Sequence, residues 1–128
     1  MQSLAFGPGI AIWFIMSLDR VGLELGSFLS YLARRQEVIA SNIANADTPG
    51  YRTLDVAPPS SFSSLLQQLG APTEEASGLT TRNDGNNVSM DREARLLSEN
   101  TMKFSLATQM LRGQLKEIRS AIDEGRAS

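Results

Sequence analysis

The residue types that carry much of the usual catalytic and metal chemistry are missing from this 128-residue sequence. There is no cysteine, which excludes disulfides and thiolate metal sites, and no histidine, the commonest general base and metal ligand. Aromatic residues make up only 6% of the chain, which is few for a large compact core. The formal net charge is -2, so no broad basic surface is available for nucleic acid. The composition therefore predicts no cofactor, no small-molecule substrate and no nucleic-acid partner.

The carboxylates that remain form no catalytic constellation. Asp47 and Asp55 lie on loop-like segments, and Glu93 lies in the first turn of a predicted helix. Arg34-Arg35 is a basic pair on a predicted helix surface and is too small for nucleic-acid binding. We therefore expect no enzymatic role.

Residues 1–16 are apolar but do not have the pattern of a targeting or membrane-spanning segment. The run is shorter than the roughly 20 apolar residues that cross a bilayer as a helix. No Lys or Arg precedes Arg20, so a cleaved secretory signal is not expected. Three interpretations stay open: a hydrophobic arm that docks on a partner, a membrane-surface anchor, or a translation start at Met16 that leaves the earlier residues out.

A long N-terminal helix is predicted over residues 17–45. Ser17 and Asp19 suit its start, because Ser caps unpaired N–H groups and Asp complements the helix dipole. Gly22 and Gly26 weaken the helix but allow a close neighbour. Apolar residues recur at alternating steps of three and four, as in a heptad seam. This seam consists of Leu18, Val21, Leu25, Phe28, Leu32, Ile39 and Ile43.

A second long helix is predicted over residues 89–125, with Ser89 as its N-cap and Gly125 as its stop. Its heptad seam consists of Leu97, Phe104, Leu111, Leu115, Ile118 and Ile122, with Thr101 and Thr108 in the remaining positions. Three further apolar residues lie off this line: Met102, Leu106 and Met110. They either form a second contact face, which flexible Met side chains suit, or broaden a single core stripe.

The central segment, residues 46–88, is rich in Ser, Thr, Pro, Gly, Asn and Asp. The pattern predicts an extended stretch at Thr53–Ala57, a short helix near residues 61–69 and a linker at Ala71–Ser77. Asn83–Asn87 is a turn signal, which favours a small hairpin between residues 79–81 and Val88. A connection of this length is either functional or disordered when the chain is alone.

These elements predict a mainly α fold in which two long terminal amphipathic helices pack as an antiparallel, coiled-coil-like pair. The centre is irregular, partly β or disordered. A two-helix hairpin leaves half of each helix surface exposed, so we expect other copies or related chains to complete the core. The isolated chain is then expected to be poorly helical or to aggregate, and to gain helix in an assembly.

Two motifs carry a resemblance to a known family. Arg34–Tyr51, RRQEVIASNIANADTPGY, ends in a Pro-Gly pair that suits a type II turn, and it resembles the N-terminal signature of flagellar rod and hook proteins. Asp84–Glu93, DGNNVSMDRE, is similar to the segment before the last helix in the FlgB type of proximal rod protein. Both motifs lie beside predicted long helices, as the architecture of that family requires.

The resemblance implies a structural component of the bacterial flagellar basal-body rod. Such proteins leave the cell through the flagellar type III apparatus without a cleaved signal. They assemble in the periplasm with other copies, other rod proteins and export-gate or basal-body adaptor proteins. The residues that the resemblance assigns to the turn and to subunit contacts are Asn42, Asn45, Asp47, Pro49, Gly50 and Tyr51. An alternative interpretation is a secretion-associated adaptor or chaperone that holds a partner helix.

Overall fold

Two long helices and a small two-stranded sheet make up the computed structural model, which describes residues 7–61, 63–64 and 73–127. In chain order the elements are α1 (Pro8–Ala44), β1 (Leu54–Asp55), β2 (Glu74–Glu75) and α2 (Met90–Ala127). The predicted mainly α fold class, with long terminal helices and a partly β centre, is confirmed. Neither described helix has a stretch that is both long and apolar enough to cross a bilayer.

α1 begins at Pro8, well before the predicted start at Ser17. A proline is well tolerated at the first helical position, because its missing N–H has no helical partner there and its φ is already suitable. Residues 8–16 and the predicted helix therefore form one element, about 56 Å long. It ends at Ala44, where the N–H of Asn45 still reaches the carbonyls of Ser41 and Asn42.

α2 runs antiparallel to α1, as the sequence predicted. Near the middle of the pair, Asn100 Nδ2 donates to the Leu32 carbonyl at 2.9 Å and to Gln36 Oε1 at 2.8 Å. Further along, Gln114 Nε2 donates to the Leu18 carbonyl. Later residues of α2 thus contact earlier residues of α1, which fixes both the direction and the register of the pair.

The line of α2 that faces α1 differs from the predicted seam. The buried residues of α2 are Glu93, Asn100, Ala107 and Gln114, each seven residues after the last. The predicted seam lies beside this line: Leu97, Leu111 and Ile118 are half-buried, whereas Phe104, Leu115 and Ile122 are exposed. A heptad line of polar and small side chains pairs the helices because its amides bond to backbone and side-chain oxygens of α1.

The predicted seam of α1 is used unevenly. Leu32 and Ile39 are fully buried, and Val21 is exposed. The half-buried members are Leu18, Leu25, Phe28 and Ile43. A second face of α1 carries Tyr31 and Val38, which the sequence analysis did not assign to the core. Val56 and Leu54 cover this second face, so the hydrophobic cluster lies between α1 and the central segment.

β1 pairs with β2 in an antiparallel sheet, with Leu54 opposite Glu75 and Asp55 opposite Glu74. The strand lies within the predicted extended stretch Thr53–Ala57, whereas β2 lies in a segment predicted to be a linker. The sheet continues one bond further, from the Ala76 N–H to the Thr53 carbonyl at 2.8 Å.

The predicted hairpin between residues 79–81 and Val88 is wrong, because none of these residues is in a strand. The residues between them form a turn instead, in which the Arg82 N–H donates a hydrogen bond to the Asn86 carbonyl at 2.8 Å. Gly85 allows the turn because its φ is +84°. The short helix predicted near residues 61–69 falls largely outside the described residues.

Candidate functional site

The chain leaves α1 through a tight turn at Thr48–Tyr51. The Tyr51 N–H donates to the Thr48 carbonyl at 3.2 Å, and Gly50 has a φ of +74°. These are the hydrogen bond and the positive φ that a type II turn needs at a Pro-Gly pair. The turn reverses the chain so that the following residues run back along α1.

Asn42 joins this turn to β1 and to α2. Its Nδ2 donates to the Leu54 carbonyl at 2.8 Å and to Glu93 Oε2 at 3.1 Å. Its Oδ1 accepts from the Tyr51 hydroxyl and from the Leu54 N–H, both at 3.1 Å. The side chain is fully buried, and both amide hydrogens and both lone pairs are used. All of these contacts lie within the chain, and the expected contact of Asn42 with a neighbouring subunit stays a prediction.

Asn86 holds the end of α1 from the other motif. Its Nδ2 donates to the carbonyls of Asn45 at 3.0 Å and Thr48 at 2.8 Å. Its Oδ1 accepts from the Val88 N–H at 2.8 Å and from Arg82 Nη2 at 2.9 Å. Asn86 is also fully buried. The Asn45 and Thr48 carbonyls already accept from the Thr48 and Tyr51 N–H groups, so Asn86 adds a second donor to each and ties the turn after α1 to the second motif.

The two motifs interlock at their glycines. The Gly50 N–H donates to the Asp84 carbonyl at 2.9 Å, and a Cβ on Gly85 would lie 3.3 Å from the Gly50 Cα. Next to this contact, Asn87 Oδ1 accepts from the Thr53 N–H at 2.7 Å and from its hydroxyl at 2.9 Å. In the sequence, the asparagines of residues 83–87 were interpreted as a turn signal and as part of the second family motif, with no binding role for their side chains. Their type and order were the available signal, but nothing local indicated their distant partners.

Four charged side chains connect α1, β1 and α2 beside Asn42. Arg35 binds Asp55 in a bidentate pair, with Nε–Oδ1 at 3.0 Å and Nη2–Oδ2 at 3.1 Å. Arg92 bridges Asp55 Oδ2 at 2.7 Å and Glu93 Oε1 at 2.5 Å. Glu93 is fully buried and the other three are largely buried. The expectation that Arg35 lies on a helix surface is therefore wrong. The sequence indicated no partner for Asp55 or Glu93, because each finds its opposite charge only in the folded chain.

The pair of Arg35 and Asp55 changes the titration of both groups. Burial by itself raises the pKa of Asp55. The net shift is nevertheless downward, because the carboxylate is stabilised by the hydrogen bond and charge of Arg35, by the Val56 N–H and by the charge of Arg92. The hydrogen bond to Asp55 raises the pKa of Arg35 against the opposing effect of burial. The charged form of Asp55 therefore stabilises the folded chain.

Acid should weaken this connection. Because the pKa of Asp55 is lower in the folded chain than its unfolded value of about 3.9, its stabilisation is present above that pH and is lost as the pH falls through the folded pKa. Asp55→Asn should remove this part of the acid dependence and lower the free energy of unfolding at pH 7 by roughly 2 kcal/mol. Urea unfolding of both proteins between pH 7 and pH 3 measures both effects.

The control for this prediction is Glu99→Gln. The hydrogen bond from Lys103 lowers the pKa of Glu99, but that carboxylate is on the surface of α2. Its replacement should change stability little at any pH, because exposed ion pairs are screened by water and salt. An unchanged acid dependence in Asp55→Asn would contradict the role given to the Arg35–Asp55 pair.

The remaining predicted turn residues lie nearer the surface. Asn45 donates to the Ser41 carbonyl at 2.8 Å and accepts from the Thr48 hydroxyl at 3.1 Å, so it closes the helix end locally. Tyr51 is half-buried on Asn42. Asp47, Pro49 and Gly50 are exposed. Contacts of these three residues with neighbouring subunits stay a prediction.

Apolar side chains remain exposed on both sides of the helix pair. With 3.6 residues per turn, the predicted seam lies on one side of the buried line of α2, and Met102, Leu106 and Met110 lie on the other. Leu115 is 57% exposed, Ile122 54% and Met102 73%. The first turns of α1 add Ile10, Ile12, Trp13, Phe14, Ile15 and Met16, all exposed. Such extended apolar faces are typical of surfaces that other proteins cover.

The described residues contain no cluster of acidic side chains that could hold a metal ion. The arrangement of this site suits binding to other proteins. Buried polar and ionic contacts fix the two helices and the turn, and the helices expose apolar faces.

The sequence is similar to known proteins along most of its length. A family model described as flagella basal body rod protein matches residues 26–52. Flagellar basal body rod protein FlgB of Escherichia coli is 31% identical over 122 residues, covering 76% of this chain and 88% of the relative. FlgB of Salmonella typhimurium is 31% identical over 140 residues, covering 84% and 99%. FlgB of Bacillus subtilis is 28% identical over 124 residues, covering 80% and 93%.

These relatives are rod proteins, and the matched family region includes the end of α1 and the turn described above. They give no support to the adaptor or chaperone interpretation. The chain belongs to the FlgB family of flagellar basal body rod proteins and is a structural component of the bacterial flagellar rod.

Proposed function

We propose that the chain assembles into the rod by burying the exposed apolar faces of α1 and α2 against other copies of itself and other rod proteins. The observation that carries this proposal is the exposure of apolar residues on both sides of the helix pair. A subunit with a contact face on each side can join a neighbour on each side, and repetition of such contacts builds a ring or a helical tube.

In this proposal the turn is a support for the faces and not itself the main contact. Asn42, Asn86 and the Arg35–Asp55 pair hold the end of α1 against the start of α2, which sets the relative position of the two helices. The faces are then presented in one fixed register. The protein acts through assembly and has no catalytic activity.

The proposal includes the route and the neighbours of the subunit. The chain is exported through the flagellar type III apparatus without a cleaved signal and assembles in the periplasm, where the export gate and basal-body adaptor proteins are its further neighbours. The FlgB relatives support a place in the basal body, and the family resemblance supports the finer position.

The test replaces two exposed apolar residues of α2, Leu115→Gln and Ile122→Gln, in one variant. Both side chains are more than half exposed, so the helix content of the purified variant should match that of the natural sequence. Its amount in purified basal bodies should fall about tenfold or more, since full burial of a Leu or Ile side chain contributes about 1.5–3 kcal/mol and each 1.4 kcal/mol changes affinity tenfold. Swimming in soft agar should be lost.

Ser120→Gln is the matched control, because it introduces the same side chain between the two positions at an exposed polar residue. It should leave incorporation and swimming unchanged. Normal swimming of the Leu115→Gln and Ile122→Gln variant would contradict the proposed contact faces. Absence of the natural chain from purified basal bodies would contradict the proposed assembly itself.

A further inference from the structure

The C-terminal half of α2 has opposite charge on its two flanks. On the flank of the predicted seam, Leu115, Ile118 and Ile122 line a groove together with four cations, which are Arg112, Lys116, Arg119 and Arg126. Two carboxylates lie on the same flank: Asp123 in the groove and Asp19 of α1 beside Ile118 and Ile122. This flank, called the basic flank, therefore combines an apolar stripe with a net positive charge.

The other flank, called the acidic flank, carries Met110, Glu117 and Glu124, each seven residues after the last, with Leu106 beside them. All four are exposed. Glu24 of α1 lies near Met110, which adds a further carboxylate on this side. The acidic flank thus combines apolar side chains with negative charge, and the basic flank combines apolar side chains with positive charge.

Glu24 pairs with Arg20 on α1, but four charges of the α2 flanks, two on each flank, form no ion pair within the described part of the chain. The ion pairs formed by residues 7–61, 63–64 and 73–127 involve other side chains, and Arg112, Arg119, Glu117 and Glu124 take part in none of them. Because all four are exposed, they are available to a neighbouring molecule.

The spacing of these charges fits two parallel copies of α2 side by side. Glu117 follows Arg112 by five residues, and Glu124 follows Arg119 by five residues. Five residues correspond to about 7.5 Å along the helix axis, an offset that long charged side chains bridge between neighbouring parallel helices of a coiled coil. An antiparallel pair related by a two-fold axis would instead set a flank against the same flank, and like charges would face each other.

We propose that adjacent copies of this chain pack in parallel, with the basic flank of α2 in one copy against the acidic flank of α2 in the next. The apolar residues of both flanks form the centre of the contact, and Arg112–Glu117 and Arg119–Glu124 pairs between copies form its edge. This inference rests on the proposed function and specifies the partner, the orientation and the residues of one contact. Since each copy uses a different flank on each side, the contact is heterologous and continues from copy to copy.

The test is a charge-reversal experiment in cells that make the variant as the only source of this protein. One variant carries Arg112→Glu and Arg119→Glu, a second carries Glu117→Arg and Glu124→Arg, and a third carries all four substitutions. Each of the first two should reduce the amount of chain in purified basal bodies about tenfold, because like charges then face each other. The third should restore incorporation and swimming, since the charges are complementary again.

Co-production of the first two variants in one cell gives a second measurement of the same contact. In an alternating arrangement every flank meets a flank of opposite charge, so swimming should return although neither variant swims alone. Glu74→Arg, an exposed charge change on β2, should have no effect and is the control. Unchanged helix content in all purified variants separates a contact effect from a folding effect.

Two results would overturn the inference. If both double variants swim normally while Leu115→Gln with Ile122→Gln does not, the apolar faces assemble but the charged rows do not pair, and the proposed function stands without this contact. If neither the fourfold variant nor co-production restores incorporation, the occupant of the flanks is not a second copy, and a different rod protein takes its place.

Discussion

Asn42→Ala should abolish swimming and lower the free energy of unfolding by about 3 kcal/mol. The substitution removes the Asn42 side chain from the Leu54 N–H and carbonyl, the Tyr51 hydroxyl and Glu93 Oε2. The Tyr51 hydroxyl keeps only its longer contact with Ser41 Oγ at 3.4 Å. Buried polar groups without partners cost more than the net worth of the hydrogen bonds themselves. Urea unfolding of the purified chain and its amount in basal bodies measure the two effects.

Asn45→Ala is the control, because it removes the same side-chain type three residues further along the same motif. The Asn45 side chain bonds only to Ser41 and Thr48, close to the surface. The bonds that tie Asn45 to the second motif use its backbone carbonyl, which alanine retains. Its replacement should cost about 1 kcal/mol or less and leave swimming intact. Equal losses for the two variants would contradict the distinct role given to Asn42.

Gly85→Val is the second substitution with a large expected effect, on the order of 3 kcal/mol. The φ of +84° is unfavourable for any residue with a Cβ and most of all for a β-branched one. In addition, the new side chain meets the Gly50 backbone, where even a Cβ lies at 3.3 Å. The interlocked turns should separate, and the chain should be lost from basal bodies. Urea unfolding and immunoblots of purified basal bodies provide the measurements.

Gly78→Val separates the two causes. Gly78 has a φ of +75° but nothing within 4 Å of the position of a Cβ. It therefore carries the backbone cost, about 1–2 kcal/mol, without the close contact. We expect this variant to be less stable than the natural chain but still to assemble. If it is as damaging as Gly85→Val, the approach of the two glycines is not what holds the motifs together.

The importance of these two positions follows from how little apolar core the chain has. In the described residues the fully or nearly buried apolar side chains are Tyr31, Leu32, Val38, Ile39, Val56, Val88 and Ala107. Natural domains are only marginally stable, and a core this small leaves a narrow margin. Buried asparagines and the ionic contacts of Arg35 and Arg92 therefore decide whether the helices stay in register. The expectation that the isolated chain is poorly helical and gains helix on assembly stays a prediction, and a cooperative urea transition of the purified natural chain, which the unfolding experiments require, would contradict it.

The buried polar line of α2 also has a consequence for assembly. Asn100 Oδ1 and Gln114 Oε1 are buried without a hydrogen-bond partner, although the amide nitrogens of both side chains bond to α1. Polar residues at a helix interface commonly fix register at a cost in stability. The pairing of α1 with α2 is thus specific but not strong, and contacts on the outer faces can contribute much of the stability of the assembled state.

The sequence by itself determined the elements that depend on local physics. Apolar periodicity predicted two long helices and their antiparallel pairing, and Pro49-Gly50 predicted the turn that the structure contains. The start of α1 was missed because residues 8–16 are apolar around the whole helix, and such a run has no amphipathic pattern to indicate its helix.

The tertiary structure decided which faces the helices use. Periodicity ranks apolar lines above polar ones, so it placed Leu115 and Ile122 inside and gave Glu93 only a place in the first turn of the helix. In the folded chain the Glu93 carboxylate can be buried because Asn42 and Arg92 donate hydrogen bonds to its two oxygens. Asn42 belongs to α1, and Arg92 belongs to a different face of α2. A local pattern contains no information about a distant partner that makes burial of a polar group favourable. For that reason the apolar lines could be recognised from the sequence, but only the fold showed that they face outward.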